Sequence, residues 1–229
     1  MAKKAVTHVI FDMDGLLLDT ERLYTLATQT ICDEYGKKYT WDIKKQLMGK
    51  KESVSAKMIV DLLELPMTVE EYLTKIHKEY DRLFPTVPFM QGAEKLVRHL
   101  HSHNVPIAVV TGSNTHSFEL KTVNHKDFFS LFHHHVLCGD DPEVTHGKPH
   151  PDAFEVGARR FEDSPDHAKI LVFEDAMNGV EAAHAAGMPC VWVPHAEQDK
   201  SVLAGKTELI IDSLEEFQPE MFGLPPYDT

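Results

Sequence analysis

The chain has 229 residues, 42% of them hydrophobic and 26% charged, enough for one large core or for a core with a smaller companion. Its 23 Lys and Arg against 36 Asp and Glu leave a net charge of −13, which disfavours nucleic acid polymers and anionic membrane surfaces as partners. No stretch approaches the ~20 consecutive apolar residues that a membrane span requires.

In chain order, Met1-Ala2-Lys3-Lys4 runs directly into an apolar stretch, Val6 to Phe11, without the apolar region of a signal peptide. That stretch reads as a buried strand closed by a turn at Gly15. Asp12 falls where the strand ends and Asp14 in the loop that leaves it. From Thr20 the rhythm becomes helical. Leu23, Ala27 and Ile31 share a face of a first helix ending near Gly36, and Thr40 caps a second that reaches Met48. A third runs through Val54, Met58, Ile59, Leu62 and Leu63 and stops before Pro66. Thr68-Val69-Glu70-Glu71 has the form of a capping box and opens a fourth through Tyr72, Ile76, Tyr80 and Phe84. Pro85 and Pro88 end the run. Residues 20–86 are therefore expected to form a four-helix cap domain inserted into a core made of residues 1–19 and 87–229.

After Gly92 helices and strands alternate. Ala93–His103 is expected to be helical, Pro106–Val110 a buried strand, Thr115–His125 a helix, and Val136-Leu137 a short strand. A polar loop from Gly139 to Pro149 leads into a helix over Pro151–Phe161. Lys169–Phe173 reads as another apolar strand, Ala176–Ala186 as a helix, Cys190–Val193 and Leu209–Ile211 as strands, and Leu214–Phe217 as a short helix. Near-continuous apolar strands separated by helices predict an α/β fold, a Rossmann-like parallel sheet covered on both faces. Cys32, Cys138 and Cys190 are odd in number and form no CxxC pair, so they read as buried thiols of a reduced, cytoplasmic compartment. His133-His134-His135 reads as a loop or a strand edge, and the other histidines show no metal-ligand spacing.

Polar residues collect at strand ends: Asp12 and Asp14, then Thr111 and Ser113, then Glu174 and Asp175. In a parallel sheet those ends lie on one edge, outside which ligands bind, and Lys148 lies on a loop that can reach it. Carboxylates, an ammonium, hydroxyls and loop amides suit phosphoryl transfer with Mg²⁺, a cation that takes one or two carboxylates together with phosphate oxygens. Asp12 and Asp175 are the candidate ligands, with the Asp14 carbonyl as a third. Thr111, Lys148 and loop amides are candidates for the phosphate oxygens. One aspartate is then free to attack phosphorus, and another to move the proton of the leaving oxygen and of the hydrolytic water.

Asp12-Met13-Asp14-Gly15 with Leu18-Asp19-Thr20 resembles the first motif of the haloacid dehalogenase-like superfamily. Thr111-Gly112-Ser113 resembles its second, Lys148-Pro149 its third, and Glu174-Asp175 with Asn178-Gly179 its fourth. The helical insertion falls where that superfamily places a mobile cap. The resemblance implies a Mg²⁺-dependent phosphomonoesterase with Asp12 as nucleophile, Asp14 as general acid and base, and Thr111 and Lys148 on the phosphoryl group. By the same resemblance Gly112 and Ser113 join the substrate site, Asp12, Asp14 and Asp175 the metal site, and Glu174 acts through a metal-bound water.

Phe11–Tyr24, Gly139–Val144, Val172–Asp175 and the ending Phe222–Pro225 resemble the branch of nucleoside 5′-monophosphatases that act on pseudouridine 5′-phosphate. The partner so implied is a small phosphorylated metabolite, and the enzyme is expected to be a monomer. Four alternatives compete. A dehalogenase lacks the second aspartate. A mutase resembling β-phosphoglucomutase has a histidine where this chain has Tyr24. A sugar-phosphate phosphatase shares the same core chemistry. A non-catalytic regulatory protein on the same fold should have lost one of Asp12, Asp14, Lys148 or Asp175. Within the cap, Gly49-Lys50-Lys51-Glu52 reads either as a substrate-reading loop, with Lys50 and Lys51 on the substrate, or as a solvated basic turn.

Overall fold

The computed structural model describes residues 5–47, 52–203 and 205–228. The chain divides into two units, residues 1–18 with 88–229 and residues 19–87.

The first unit is built on a six-stranded, all-parallel sheet. Its strands are β1 (His8–Phe11), β2 (Ile107–Thr111), β3 (His134–Leu137), β4 (Ile170–Glu174), β5 (Cys190–Trp192) and β6 (Leu209–Ile210), in the order β3-β2-β1-β4-β5-β6. The chain runs outward from β1 through β2 to β3, then crosses back to β4 on the other flank of β1. The reversal between β1 and β4 is the switch point at which such sheets bind ligands.

Every residue of β1, β2, β4 and β5 is buried, as expected of strands covered on both faces. Ile10, Val110, Val172 and Trp192 share one core cluster with Phe154 and Val180 of the covering helices. The edge strand β3 is partly exposed and opens with His134 and His135, the strand-edge placement anticipated for that run. Its imidazoles are satisfied locally: His134 pairs with the Gly157 carbonyl at 2.8 Å and His135 with that of Phe129 at 3.1 Å.

Helices are numbered in chain order through both units, and the first four fall within residues 19–87. The helices of the first unit are α5 (Ala93–Ser102), α6 (Thr115–Thr122), α7 (Lys126–Phe129), α8 (Asp152–Arg159) and α9 (Met177–Ala185). Where a single helix over Thr115–His125 is expected, the chain ends α6 at Thr122 and starts α7 four residues later. Phe128 and Phe129 of that second turn are buried, and this aromatic anchorage redirects the chain. Cys32 and Cys190 are buried, whereas Cys138 is half-buried, a correction to the expectation of three buried thiols; all three are free. A second correction concerns the histidines. The turn ahead of α8 brings ligand atoms of His146, His150 and Asp152 within 4.8 Å of one another, and the two histidines have three residues between them, a spacing metal sites use.

The second unit contains α1 (Thr20–Asp33), α2 (Trp41–Leu47), α3 (Glu52–Leu62) and α4 (Val69–Leu83). The capping box opens α4 as its sequence implies: Glu71 N–H donates to Thr68 Oγ1 at 3.1 Å, and Thr68 N–H donates to the Glu71 carboxylate at 2.7 Å. Tyr24 of α1 meets Tyr80 edge-on with ring centroids 5.2 Å apart, and Tyr80 stacks on Phe84 at 4.8 Å. Lys50 and Lys51, the cap residues expected on the substrate, lie outside the described residues. Among the described residues no helix is long and apolar enough to cross a membrane.

Candidate active site

Strand register sets the site. Phe11 pairs with Val109 on one side and Phe173 on the other, so Asp12, Thr111 and Glu174 emerge together at the carboxyl ends of β1, β2 and β4. Asp12 N–H still donates to the Phe173 carbonyl at 3.0 Å, which holds the first aspartate against β4.

Lys148 reaches this edge from the loop before α8. Its Nζ donates to Asp12 Oδ1 at 2.6 Å, to Glu174 Oε1 at 2.5 Å and to the Val110 carbonyl at 3.0 Å. The side chain is only 8% exposed, so Lys148 is not a solvated surface lysine. Burial alone would lower the ammonium's pKa, but the Asp12 and Glu174 carboxylates outweigh it and keep Lys148 charged. Burial pushes the Asp12 carboxyl up to about 7; Lys148 opposes the rise, and Glu174 and Asp14 add to it.

Asp14 lies in a second nest. Its Oδ2 accepts from the hydroxyls of Thr111 at 3.0 Å and Ser113 at 2.9 Å, and its Oδ1 from Lys121 Nζ at 2.5 Å. Lys121 is fully buried on α6 and also donates to Ser113 Oγ at 2.8 Å. The hydroxyls of Thr111 and Ser113, expected on phosphate oxygens, thus direct their protons to Asp14. Gly112 is exposed between them, with open space where a Cβ would stand. Sequence reasoning missed Lys121. The available signal was its spacing from Phe118 and ahead of Thr122, which puts it on the inward face of the helix that follows the Thr111–Ser113 loop.

Asp12, Glu174 and Asp175 each offer a carboxylate oxygen within 4.8 Å of the others. Trp192 Nε1 donates to the Asp175 carbonyl at 2.8 Å and fixes that residue's backbone. A Cβ added at Gly179 would fall 1.9 Å from the Glu174 carboxylate, so α9 packs a glycine directly on it. The donor set is all oxygen. The three carboxylates of this cluster (Asp12, Glu174, Asp175) face one ammonium (Lys148), an excess of negative charge of the kind a divalent cation offsets. The residues therefore fit a hard divalent cation. The Asp14 carboxylate is turned into its own nest and is not one of this cluster, so any part it takes in holding metal falls to its backbone carbonyl.

Residues 9–193 match the family of haloacid dehalogenase-like hydrolases, and the chain belongs to that family. Glycerol-3-phosphatase 2 of Arabidopsis thaliana is 46% identical over 227 residues, covering 98% of this chain and 94% of the relative. A Drosophila melanogaster protein named probable pseudouridine-5′-phosphatase is also 46% identical, over 224 residues, covering 98% of this chain and 96% of its own. Among solved structures, a haloacid dehalogenase family hydrolase from Deinococcus radiodurans aligns with a TM-score of 0.80 across 98% of this chain and 100% of that one; at 19% identity the likeness shows the fold.

Proposed function

We propose that this hydrolase is a Mg²⁺-dependent phosphomonoesterase that works through an aspartyl-phosphate on Asp12 and acts on a nucleoside 5′-monophosphate such as pseudouridine 5′-phosphate. The observation that carries the reading is the gathering of Asp12, Glu174 and Asp175 within 4.8 Å, with Lys148 Nζ on both Asp12 and Glu174. Phosphomonoester hydrolysis is also what the names of both relatives share.

Asp12, Asp175 and Glu174, the last directly or through water, would hold Mg²⁺, which supplies positive charge against the phosphate and screens one anion's approach to another. An Asp12 carboxylate oxygen attacks phosphorus and the P–O bond to the leaving group breaks. Asp14, which must enter this step protonated and turned out of the Lys121–Thr111–Ser113 nest, gives its proton to the departing oxygen. Water then attacks the phosphorus of the aspartyl-phosphate, Asp14 takes its proton, and inorganic phosphate leaves with Asp12 restored. Lys148 supports the charge on the transferring group, as ammonium groups do in phosphoryl transfer. Lys121, Thr111 and Ser113 hold the Asp14 carboxylate when it is ionised. The helical unit over residues 19–87 is the candidate cap that selects the substrate.

Equal identity to a glycerol-3-phosphatase favours a second substrate reading, glycerol 3-phosphate. Phosphate release from pseudouridine 5′-phosphate, other nucleoside 5′-monophosphates, glycerol 3-phosphate and sugar phosphates, with and without a chelator, decides between them. Highest kcat/KM on pseudouridine 5′-phosphate, abolished by chelation, is the expected result. Full activity in the chelator would overturn the metal-dependent reading, and isomerisation of a sugar phosphate without phosphate release would point to a mutase.

A further inference from the structure

Outside the carboxylate cluster the described residues contain another group of metal-ligating side chains, on the turn that carries Lys148 into the active site. His146 Nδ1 lies 3.2 Å from Asp152 Oδ2, and His150 Nδ1 lies 2.5 Å from Asp152 Oδ1. The two imidazole centroids are 4.6 Å apart. Each residue offers a ligand atom within 4.8 Å of the other two. We propose that His146, His150 and Asp152 form a second metal site, for a transition ion such as Zn²⁺, that clamps the turn delivering Lys148.

The carboxylate is already positioned. The backbone N–H of His146 donates to Asp152 Oδ2 at 2.9 Å, and Asp152 begins α8 with its side chain only 18% exposed. An acceptor at a helix start needs backbone donors alone. Here an imidazole nitrogen faces each of its two oxygens, which turns a helix-terminal aspartate into the third arm of a claw. Two imidazoles and a carboxylate suit Zn²⁺, with water completing a tetrahedral set.

The Asp12–Glu174–Asp175 cluster differs in kind, because it offers only hard oxygen donors of the sort Mg²⁺ takes. Loading of the two clusters is therefore separable by the choice of cation. The histidine side chains are 63% and 52% exposed, so an ion reaches them without opening the core. Bound there, it ties residues 146, 150 and 152 together across Lys148, whose Nζ bridges Asp12 and Glu174.

The test is a Zn²⁺ titration of the full chain against a chromophoric chelator with Mg²⁺ held in saturating excess. Wild type and Asp12→Asn are expected to bind one Zn²⁺ each. Removing even an outer-shell partner of a metal ligand weakens a site by roughly 10–100-fold, so His146→Ala and His150→Ala should each lose at least tenfold, and the double variant all specific binding. One equivalent of Zn²⁺ should raise the thermal midpoint of wild type and leave that of the double variant unchanged. In wild type the imidazole NMR signals of His146 and His150 should be the ones displaced, a readout that requires no variant to fold. Failure of wild type to bind Zn²⁺ over Mg²⁺, undiminished binding by the double variant, or displacement of other histidines instead would each overturn the site.

Discussion

Gly179→Ala tests whether the placement of Glu174 matters as the site requires. An alanine inside a helix ordinarily stabilises relative to glycine, by about 1 kcal/mol. At Gly179 the added Cβ would fall 1.9 Å from Glu174 Cδ and Oε1, while ordinary contact begins at 3.4 Å. The carboxylate must retreat by the difference, and at 1% exposure it has no solvent to retreat into. The movement separates it from Lys148 Nζ, now at 2.5 Å, and from the Ala176 N–H, now at 3.2 Å.

Forced overpacking costs roughly 1–3 kcal/mol and a lost hydrogen bond to a charged group a further ~1.5–3 kcal/mol, so the helical gain is reversed and a net loss of about 3 kcal/mol is expected. A displacement of about 1 Å at a catalytic group costs about a hundredfold in rate. Urea unfolding and phosphate release at several Mg²⁺ concentrations read both effects, with more Mg²⁺ needed for half-maximal activity. Gly147→Ala, where nothing lies within 4 Å of the new Cβ, serves as the steric control for stability. A Gly179→Ala protein at least as stable as wild type, with kcat/KM within about twofold on a scale where 1.4 kcal/mol is tenfold, would refute the reasoning.

Other perturbations probe the neighbouring parts. Lys121→Met removes the buried ammonium from Asp14; kcat should fall about ten- to a hundredfold, within the span of acid–base contributions, with KM little changed, and an unaltered kcat would detach Lys121 from Asp14's role. Asp12→Asn should abolish turnover while leaving the protein folded, and retained activity would remove Asp12 from the attacking role. His8, His134 and His135 are held below 6.5 by burial, with Asp163 working against the shift at His8. Their contribution to stability is complete above pH 6.5 and drains away as pH falls through the lowered folded values, so urea midpoints should decline below pH 6.5, and a flat profile from pH 8 to 5 would exclude the effect.

The residues that form this site were legible in the sequence to different degrees. Asp12, Thr111 and Glu174 could be placed because a parallel sheet aligns strand ends, and strands as apolar as Val9–Phe11 or Leu171–Phe173 announce where they stop. Lys148 required the loop to fold back over 26 residues to Glu174, and isolated lysines are ordinarily solvated; only the surrounding motifs identified it. Lys121 stayed hidden because a lysine on a short helix looks like surface until its register to Phe118 and Thr122 is weighed. The separate turn of α7 escaped because Phe128 and Phe129 bury through tertiary packing that local spacing does not encode. His146 and His150 carry a legible H-x3-H spacing, whereas the convergence of Asp152 on both comes from the fold of the turn.

The most direct measurement is a trap for the covalent intermediate. Asp14→Asn protein mixed with substrate and Mg²⁺, quenched in acid and digested, should yield a peptide carrying one phosphoryl group on Asp12, labile to hydroxylamine and absent when Asp12 is also replaced. Phosphate release by the wild type with no phosphorylated Asp12 in the trapped variant, or a phosphoryl group on any other residue, would contradict the account.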